Sequence, residues 1–379
     1  MKKALILGAG SAGKGVLGLE LHKAGYELTF AAVTLSILQE INENRGYTVE
    51  IVDNGEKIFV PVHEVVHMND KDELDRIVQD TSVIFTAIGP NNLEYAARII
   101  GEPLYKKAKK GNLLNIVACE NILNNSSNLK NLIGSQIGQE KAKIIDANVG
   151  FPNCMVDRIS VFEDGIVRVE DYYEWIIESK LWKGESDIPA VRYIPEIEPF
   201  ATRKLYMLNG AHVTIGFAGQ TKGIIYVHGA LDDQKIESIV RGQLEEANYG
   251  VSHEYGFSEQ EQQVYIEQIS QRFKNEKLRD KTIRLTRGQI RKLKRHERLI
   301  GPALLVLKHG EEPVNTAHGI SYLFRHFDSN DHESRMVHNY LEQNGLQRTL
   351  NRYCGLNRQN PLDARLIGLI ERSVGQSPK

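Results

Sequence analysis

An α/β N-terminal half followed by a mainly α-helical C-terminal half is the fold class that this 379-residue sequence predicts. Three observations predict it. A glycine turn, Gly8-x-Gly10-x-x-Gly13, lies between a short apolar run and a helix-patterned segment. Short β-rich runs alternate with helical patterns up to about residue 150, as they do in a parallel, doubly wound sheet. From Pro199 onward the chain reads mostly as helices.

The first strand is Lys3–Gly8, an apolar run that ends in the glycine turn. Val16, Leu17 and Leu21 then recur at helical spacing until Gly25, a natural terminator. Glu27–Val33 is β-rich again. Strand, glycine turn, helix and strand within about 30 residues make a βαβ unit. In that setting Gly8 allows a tight turn, Gly10 lets backbone approach a pyrophosphate, and Gly13 lets helix pack on strand. The helix N-terminus offers free N–H groups to phosphate. Gly8, Ala9, Gly10, Ser11, Ala12 and Gly13 are therefore candidate cofactor contacts in an α/β Rossmann-like domain.

Further strands are expected at Ser82–Ile88, at Asn115–Cys119, from Ile144-Ile145, and over residues 166–177. Ala87 and Gly89 stand at the end of the Ser82–Ile88 run, and Asn121 follows the Asn115–Cys119 run, at strand ends where such sheets bind ligands. Helices are expected at Glu237–Tyr249, Ser258–Asn275, Gly288–Leu307 and Ser334–Glu342. The predicted domains are 1–190, which binds nucleotide, and 191–379, which is helical and carries the substrate site. An acid at the end of the second strand normally binds the ribose of NAD. Ala32 stands there, and no Arg or Lys follows closely to meet a 2′-phosphate. NAD is favoured as cofactor, with NADP as the alternative.

Composition excludes several classes. With 25% charged and 41% hydrophobic residues the chain has an ordinary globular balance. A net charge of −2 gives no pull toward nucleic acid or a membrane surface. No apolar run approaches the roughly 18–20 residues of a membrane span. The N-terminal run is broken by glycines and is not read as a signal peptide. Three widely spaced cysteines imply no disulfide framework or zinc knuckle. The expected setting is cytoplasmic. His63-Glu-Val-Val-His67 has the H-E-x-x-H spacing of zinc proteases, but it follows a β-rich, proline-broken run. In an extended strand its two histidines stand about 13 Å apart, so no metal is expected.

Residues 203–212 carry the chemistry. Lys204, Asn209 and His212 form K-x4-N-x2-H. A free lysine has a pKa of about 10.4, which burial near a cation lowers. Lys204 can then take an alcohol proton, or give it back in the reverse direction. Asn209 can donate to the resulting oxyanion, and His212 can position the substrate.

With these blocks on the page, the chain resembles the polyol-specific long-chain dehydrogenases, the mannitol dehydrogenase family. Besides K-x4-N-x2-H, the resemblance rests on Leu7–Gly15, Thr86–Pro90, Ala118–Asn121, Val156–Ile159, Arg287–Leu293 and Arg298–Pro302. It runs in order through nearly the whole chain. It implies metal-independent hydride transfer, a monomer, and a small-molecule polyol or ketose as partner. Lys204 is then the acid/base, Asn209 part of the oxyanion site and His212 a substrate-positioning residue. Asn153, in Phe151–Arg158, matches the second asparagine of the unphosphorylated-mannitol branch. The N-terminus and length resemble the branch acting on mannitol 1-phosphate, in which arginine usually stands at the position of Lys14. Ala32 also departs from the family, which usually has aspartate there. Mannitol 1-phosphate and fructose 6-phosphate are the expected pair. An unphosphorylated polyol or hexuronate is the alternative, and a nucleotide-binding sensor without turnover is the second. The basic run from Arg287 to Arg298 reads either as a solvated helix face or, at Arg287, Arg291 and Lys292, as a phosphate site.

Overall fold

The computed structural model describes residues 2–185 and 188–375. The chain divides into two compact units, Met1–Ala201 and Thr202–Lys379.

In the first unit, β1 (Lys3–Leu7) and β2 (Glu27–Ala32) flank the glycine turn and its helix. β3 (Gly46–Ile51) and β4 (Glu56–Pro61) form a hairpin, and β5 (Glu64–His67) follows. β6 (Val83–Thr86), β7 (Leu114–Ala118) and β8 (Val149–Gly150) come next. The last strands of the unit are β9 (Cys154–Asp157), β10 (Ser160–Glu163), β11 (Ile166–Val169), β12 (Glu174–Glu178) and β13 (Arg192–Ile194).

Six strands pair in the order β5-β2-β1-β6-β7-β8, and every pairing is parallel. The order reverses between β1 and β6, and open sheets of this kind bind ligands outside the strand ends at that crevice. Both faces are covered, so successive side chains of β1 enter different cores. Ala4 and Ile6 join Leu17, Leu21, Phe85 and Trp175, while Leu5 and Leu7 join Ile84, Ile100 and Leu129. A second sheet, β10-β11-β3-β4, packs on the glycine-loop helix, and a third is ordered β13-β12-β9.

Two sequence expectations are corrected here. Ile144 and Ile145 lie in the helix Gln139–Asn148, and the strand is only Val149–Gly150. Residues 166–177 are two strands in different sheets. They part at Glu170, whose carboxylate turns to accept the Ile159 N–H at 2.5 Å. His67 ends strand β5, so the H-E-x-x-H residues share no helix face.

The second unit is helical. A π-helical segment, Lys204–Leu208, runs into the helix Asn209–Thr221. Every residue from Gly210 to Gly219 is buried, which marks this as the central helix of its unit. Around it lie Gln234–Tyr255, Glu259–Phe273, Thr282–Thr286, Ile300–Lys308, Val314–Arg325, His332–Thr349 and Pro361–Gly375. Ser258 and Glu261 close a capping box at the start of Glu259–Phe273. The expected Gly288–Leu307 helix is instead a single turn, Gln289–Lys292, separated from Ile300–Lys308. Glu297 pulls this stretch inward by accepting from Arg291 at 3.1 Å and Arg298 at 2.9 Å. Among the described residues no helix is long and apolar enough to cross a membrane.

Candidate active site

The glycine turn is built as close packing requires. Gly8 has φ +108°, and a Cβ there would lie 2.5 Å from the Ala87 carbonyl oxygen. A Cβ on Gly13 would lie 2.1 Å from the Gly8 carbonyl oxygen, so neither position accepts a side chain. Gly10 faces open space. Ser11 and Ala12 open the helix. Gly8, Ala9, Gly10, Ala32 and Ala87 share the wall of one cavity of about 430 Å³ with Val33, Thr34, Ile37, Met68, Ile88, Asn92 and Tyr95. That wall is mostly apolar and meets the exposed loop at the reversal of strand order, which suits the adenosine half of a dinucleotide. No carboxylate or cation is among the described residues that line it.

Gly89, with φ +86°, follows β6. The loop is held by Glu120, whose carboxylate accepts from the Thr86 hydroxyl at 2.7 Å and the Ile88 N–H at 3.0 Å. Burial raises the Glu120 carboxyl, and those hydrogen bonds offset part of the rise. Asn121 is exposed just beyond β7. Asn125 joins this strand end to β9. Its amide nitrogen donates to the Glu120 carbonyl at 3.2 Å and the Cys154 carbonyl at 2.8 Å. Its oxygen accepts the Cys154 N–H at 3.1 Å. Asn153 is thereby fixed, and its own amide donates to Ser127 Oγ at 3.0 Å and Glu178 Oε2 at 2.9 Å. Glu120, Asn125 and Glu178 were not singled out by sequence reasoning; only their positions beside strand ends could have drawn attention to them.

In the helical unit the K-x4-N-x2-H spacing acquires a structural reason. In an α-helix, residues five apart diverge around the axis. Here the Asn209 N–H donates to the Lys204 carbonyl, an i to i+5 bond, so one wide turn brings Asn209 above Lys204. His212 follows three residues later, on the same side. Lys204 and His212 are each only 6% exposed. Asn209 Oδ1 is buried and accepts no hydrogen bond among the described residues, an orphan polar atom of the kind that marks a functional site.

His212 is held twice. Its Nε2 lies 2.9 Å from Asp280 Oδ2, and its ring stacks on Phe273 at 4.8 Å between centroids. Burial lowers the imidazole, and Asp280 offsets this only in part. Burial alone would raise Asp280, but the Arg284 charge and the hydrogen bonds from His212 and Arg284 prevail and hold it well below the usual carboxylate range.

The basic segment divides by partner. Lys292 is buried and donates to the carbonyls of Leu285 and Arg287. Burial, followed by the nearby Arg298, Arg291 and Arg284 cations, pushes its ammonium well below its ordinary value. Arg291 pairs with Glu297 at 3.1 Å. Arg287 is exposed.

Two family models match. One, described as the mannitol dehydrogenase Rossmann domain, covers residues 2–190. The other, the mannitol dehydrogenase C-terminal domain, covers residues 196–352. A mannitol-1-phosphate 5-dehydrogenase of Thermoanaerobacter pseudethanolicus is 35% identical over 374 residues, which is 96% of this chain and 95% of that protein. The Bacillus subtilis protein of the same name is 34% identical over 371 residues, 96% of this chain and 98% of its own. Among solved structures, Pseudomonas fluorescens mannitol 2-dehydrogenase in a ternary complex with NAD and D-mannitol aligns with a TM-score of 0.83 and 15% identity, over 99% of this chain and 91% of that one. A substrate-free D-sorbitol dehydrogenase aligns with a TM-score of 0.72 and 16% identity, over 97% and 92%. At such identities these two structures bear on the fold.

Proposed function

Since the chain belongs to the mannitol dehydrogenase family, we propose that it is a nicotinamide-dependent oxidoreductase interconverting mannitol 1-phosphate and fructose 6-phosphate. The observation that carries this reading is the π segment that sets Lys204, Asn209 and His212 along one side of a buried helix. The names of the relatives supply mannitol 1-phosphate, and fructose 6-phosphate is the ketose its oxidation gives. When bound, the nicotinamide accepts or supplies a hydride at C4.

The residues of the chain handle the oxygen and its proton. Lys204 takes the proton of the carbinol hydroxyl during oxidation and returns it during reduction. Asn209 sits beside that oxygen and donates to it from its amide nitrogen as negative charge develops. Asn153, whose amide donates to Ser127 Oγ and Glu178 Oε2 in the sheet unit, is the second asparagine that the resemblance implies. His212 accepts from a neighbouring substrate hydroxyl. Arg287, exposed and without an ion pair among the described residues, takes the phosphate, where a guanidinium offers two parallel donors. Arg291 stands beside it, and Lys292 braces the backbone that carries it. NAD is the proposed cofactor, and the cavity at Ala32 also admits NADP.

The test is cofactor oxidation at neutral pH, with NADH and NADPH each supplied with fructose 6-phosphate, fructose or a hexuronate. Turnover with fructose 6-phosphate alone is expected. Turnover confined to an unphosphorylated sugar moves the chain to a sister branch. No turnover with any pairing refutes the enzymatic reading.

A further inference from the structure

Asp280 lies 68 residues from His212 in sequence and belongs to no motif. Packing brings the two together. The helix Asn209–Thr221 meets Thr282–Thr286 without spacing side chains. A Cβ on Gly216 would lie 2.4 Å from Leu285 Cβ, and one on Gly219 2.8 Å from Thr282 Cγ2. This close approach places Asp280, 4% exposed, against the imidazole. Arg284 then grips both carboxylate oxygens, from Nε to Oδ1 at 2.7 Å and from Nη2 to Oδ2 at 2.6 Å. The carboxylate is an acceptor only, so the proton on His212 must sit on Nε2. Phe273 fixes the ring plane. His212 Nδ1 makes no hydrogen bond among the described residues.

We infer that Asp280 is a positioning residue for substrate recognition: it fixes His212 in the Nε2–H form and presents the Nδ1 lone pair to a substrate hydroxyl. The inference rests on the reading of His212 given above. It predicts that the pair acts as a unit, as histidines oriented by a carboxylate do elsewhere. The charged groups facing His212 are Asp280 and Arg284, beside and on Thr282–Thr286, and Arg272 on Glu259–Phe273. Burial above all, and then both arginines, disfavour an imidazolium, and Asp280 offsets this only in part, so the neutral, accepting ring is the form the surroundings select.

The experiment is a double-mutant cycle on the full chain, reducing fructose 6-phosphate with NADH. The variants are Asp280→Ala, Asp280→Asn, His212→Ala and the His212→Ala/Asp280→Ala double variant. In the native background, loss of the carboxylate is expected to lower kcat/KM by about ten- to hundredfold, the range typical of partners that orient a functional histidine. In the His212→Ala background it should cost less than about threefold. Independent losses that multiply would overturn the inference. Asp280→Asn, nearly isosteric, decides the matter if Asp280→Ala does not fold. The second readout needs no turnover. In ¹⁵N-histidine-labelled protein, the imidazole signals that vanish in His212→Ala should report Nε2–H in the native chain and change in Asp280→Ala, which has no acceptor. An unchanged tautomer also overturns the inference. Absence of native activity would refute the proposed function, whereas the nitrogen spectrum would still judge Asp280.

Discussion

Lys204 is buried in the π segment Lys204–Leu208, all of whose residues are buried, and the proposed reaction uses it as the acid/base. Lys204→Ala should therefore lower kcat by about 10²–10⁴-fold, the usual contribution of a positioned acid/base. NADH affinity, measured by fluorescence titration, should stay within about twofold, because Lys204 lies outside the cavity of the sheet unit; a residual kcat within tenfold of native would remove Lys204 from the mechanism. At Ala32 the prediction concerns discrimination. Ala32→Asp places a carboxylate at the cavity wall, where it can accept from a ribose hydroxyl and repel a 2′-phosphate. The ratio of kcat/KM for NADPH to that for NADH should fall by about tenfold or more, equivalent to about 1.4 kcal/mol. An unchanged ratio would mean that the ribose lies elsewhere. Both residues were legible in the sequence, one as a reactive group in a spaced motif and the other as a missing acid. Asp280 was not, because only the packing of two helices sets it beside His212.

At the scale of elements, the parallel strands were legible because apolar runs ending in Gly8 or Gly89-Pro90 leave few alternatives. Val149–Gly150 was not, since a two-residue strand has no periodicity to read. Nor was the break at Glu170, which a tertiary hydrogen bond decides. The K-x4-N spacing alone does not announce a π turn, yet the π turn at Lys204–Leu208 is what aligns its members. The split of Gly288–Leu307 escaped for a related reason: helical periodicity does not register an ion network such as Arg291–Glu297–Arg298. The central helix depends on close approach, and this is testable away from the reactive groups. Gly216→Ala puts a methyl 2.4 Å from Leu285 Cβ. Such overpacking costs about 1–3 kcal/mol, or roughly 2–12 °C in Tm for a domain of this size. Leu285→Gly in the same chain removes the opposing Cβ and should relieve the clash, so the double variant should lose less than the sum of the two single losses. Strict additivity in thermal melts would show that the helices can separate without cost.

For the molecule as a whole, the two units differ in how they carry charge, and this gives a pH dependence. The helical unit holds three histidines that burial pushes below their ordinary value, His212, His318 and His326. For His326, Asp328 and Asp331 oppose burial without overcoming it. A histidine with a depressed native pKa binds fewer protons folded than unfolded. As pH falls below about 6.5, the unfolded chain gains protons that the folded chain refuses, and stability drops until the native pKa is reached. Glu246 in the same unit and Glu120 in the sheet unit are raised by burial, so their contributions run the other way, starting from the lower, carboxylate range. Between pH 7.5 and 5.5 the histidine effect should prevail in the helical unit. Both tryptophans, Trp175 and Trp182, lie in the sheet unit, which allows the units to be followed separately. The melting midpoint by circular dichroism at 222 nm should fall over this interval by more than the midpoint by tryptophan fluorescence. His326→Gln, which keeps a polar side chain and removes the titration, should flatten the circular dichroism slope. A slope equally steep in that variant, or a midpoint that rises as pH falls, would mean that these histidines accept protons within the native fold and that their burial costs the molecule nothing on acidification.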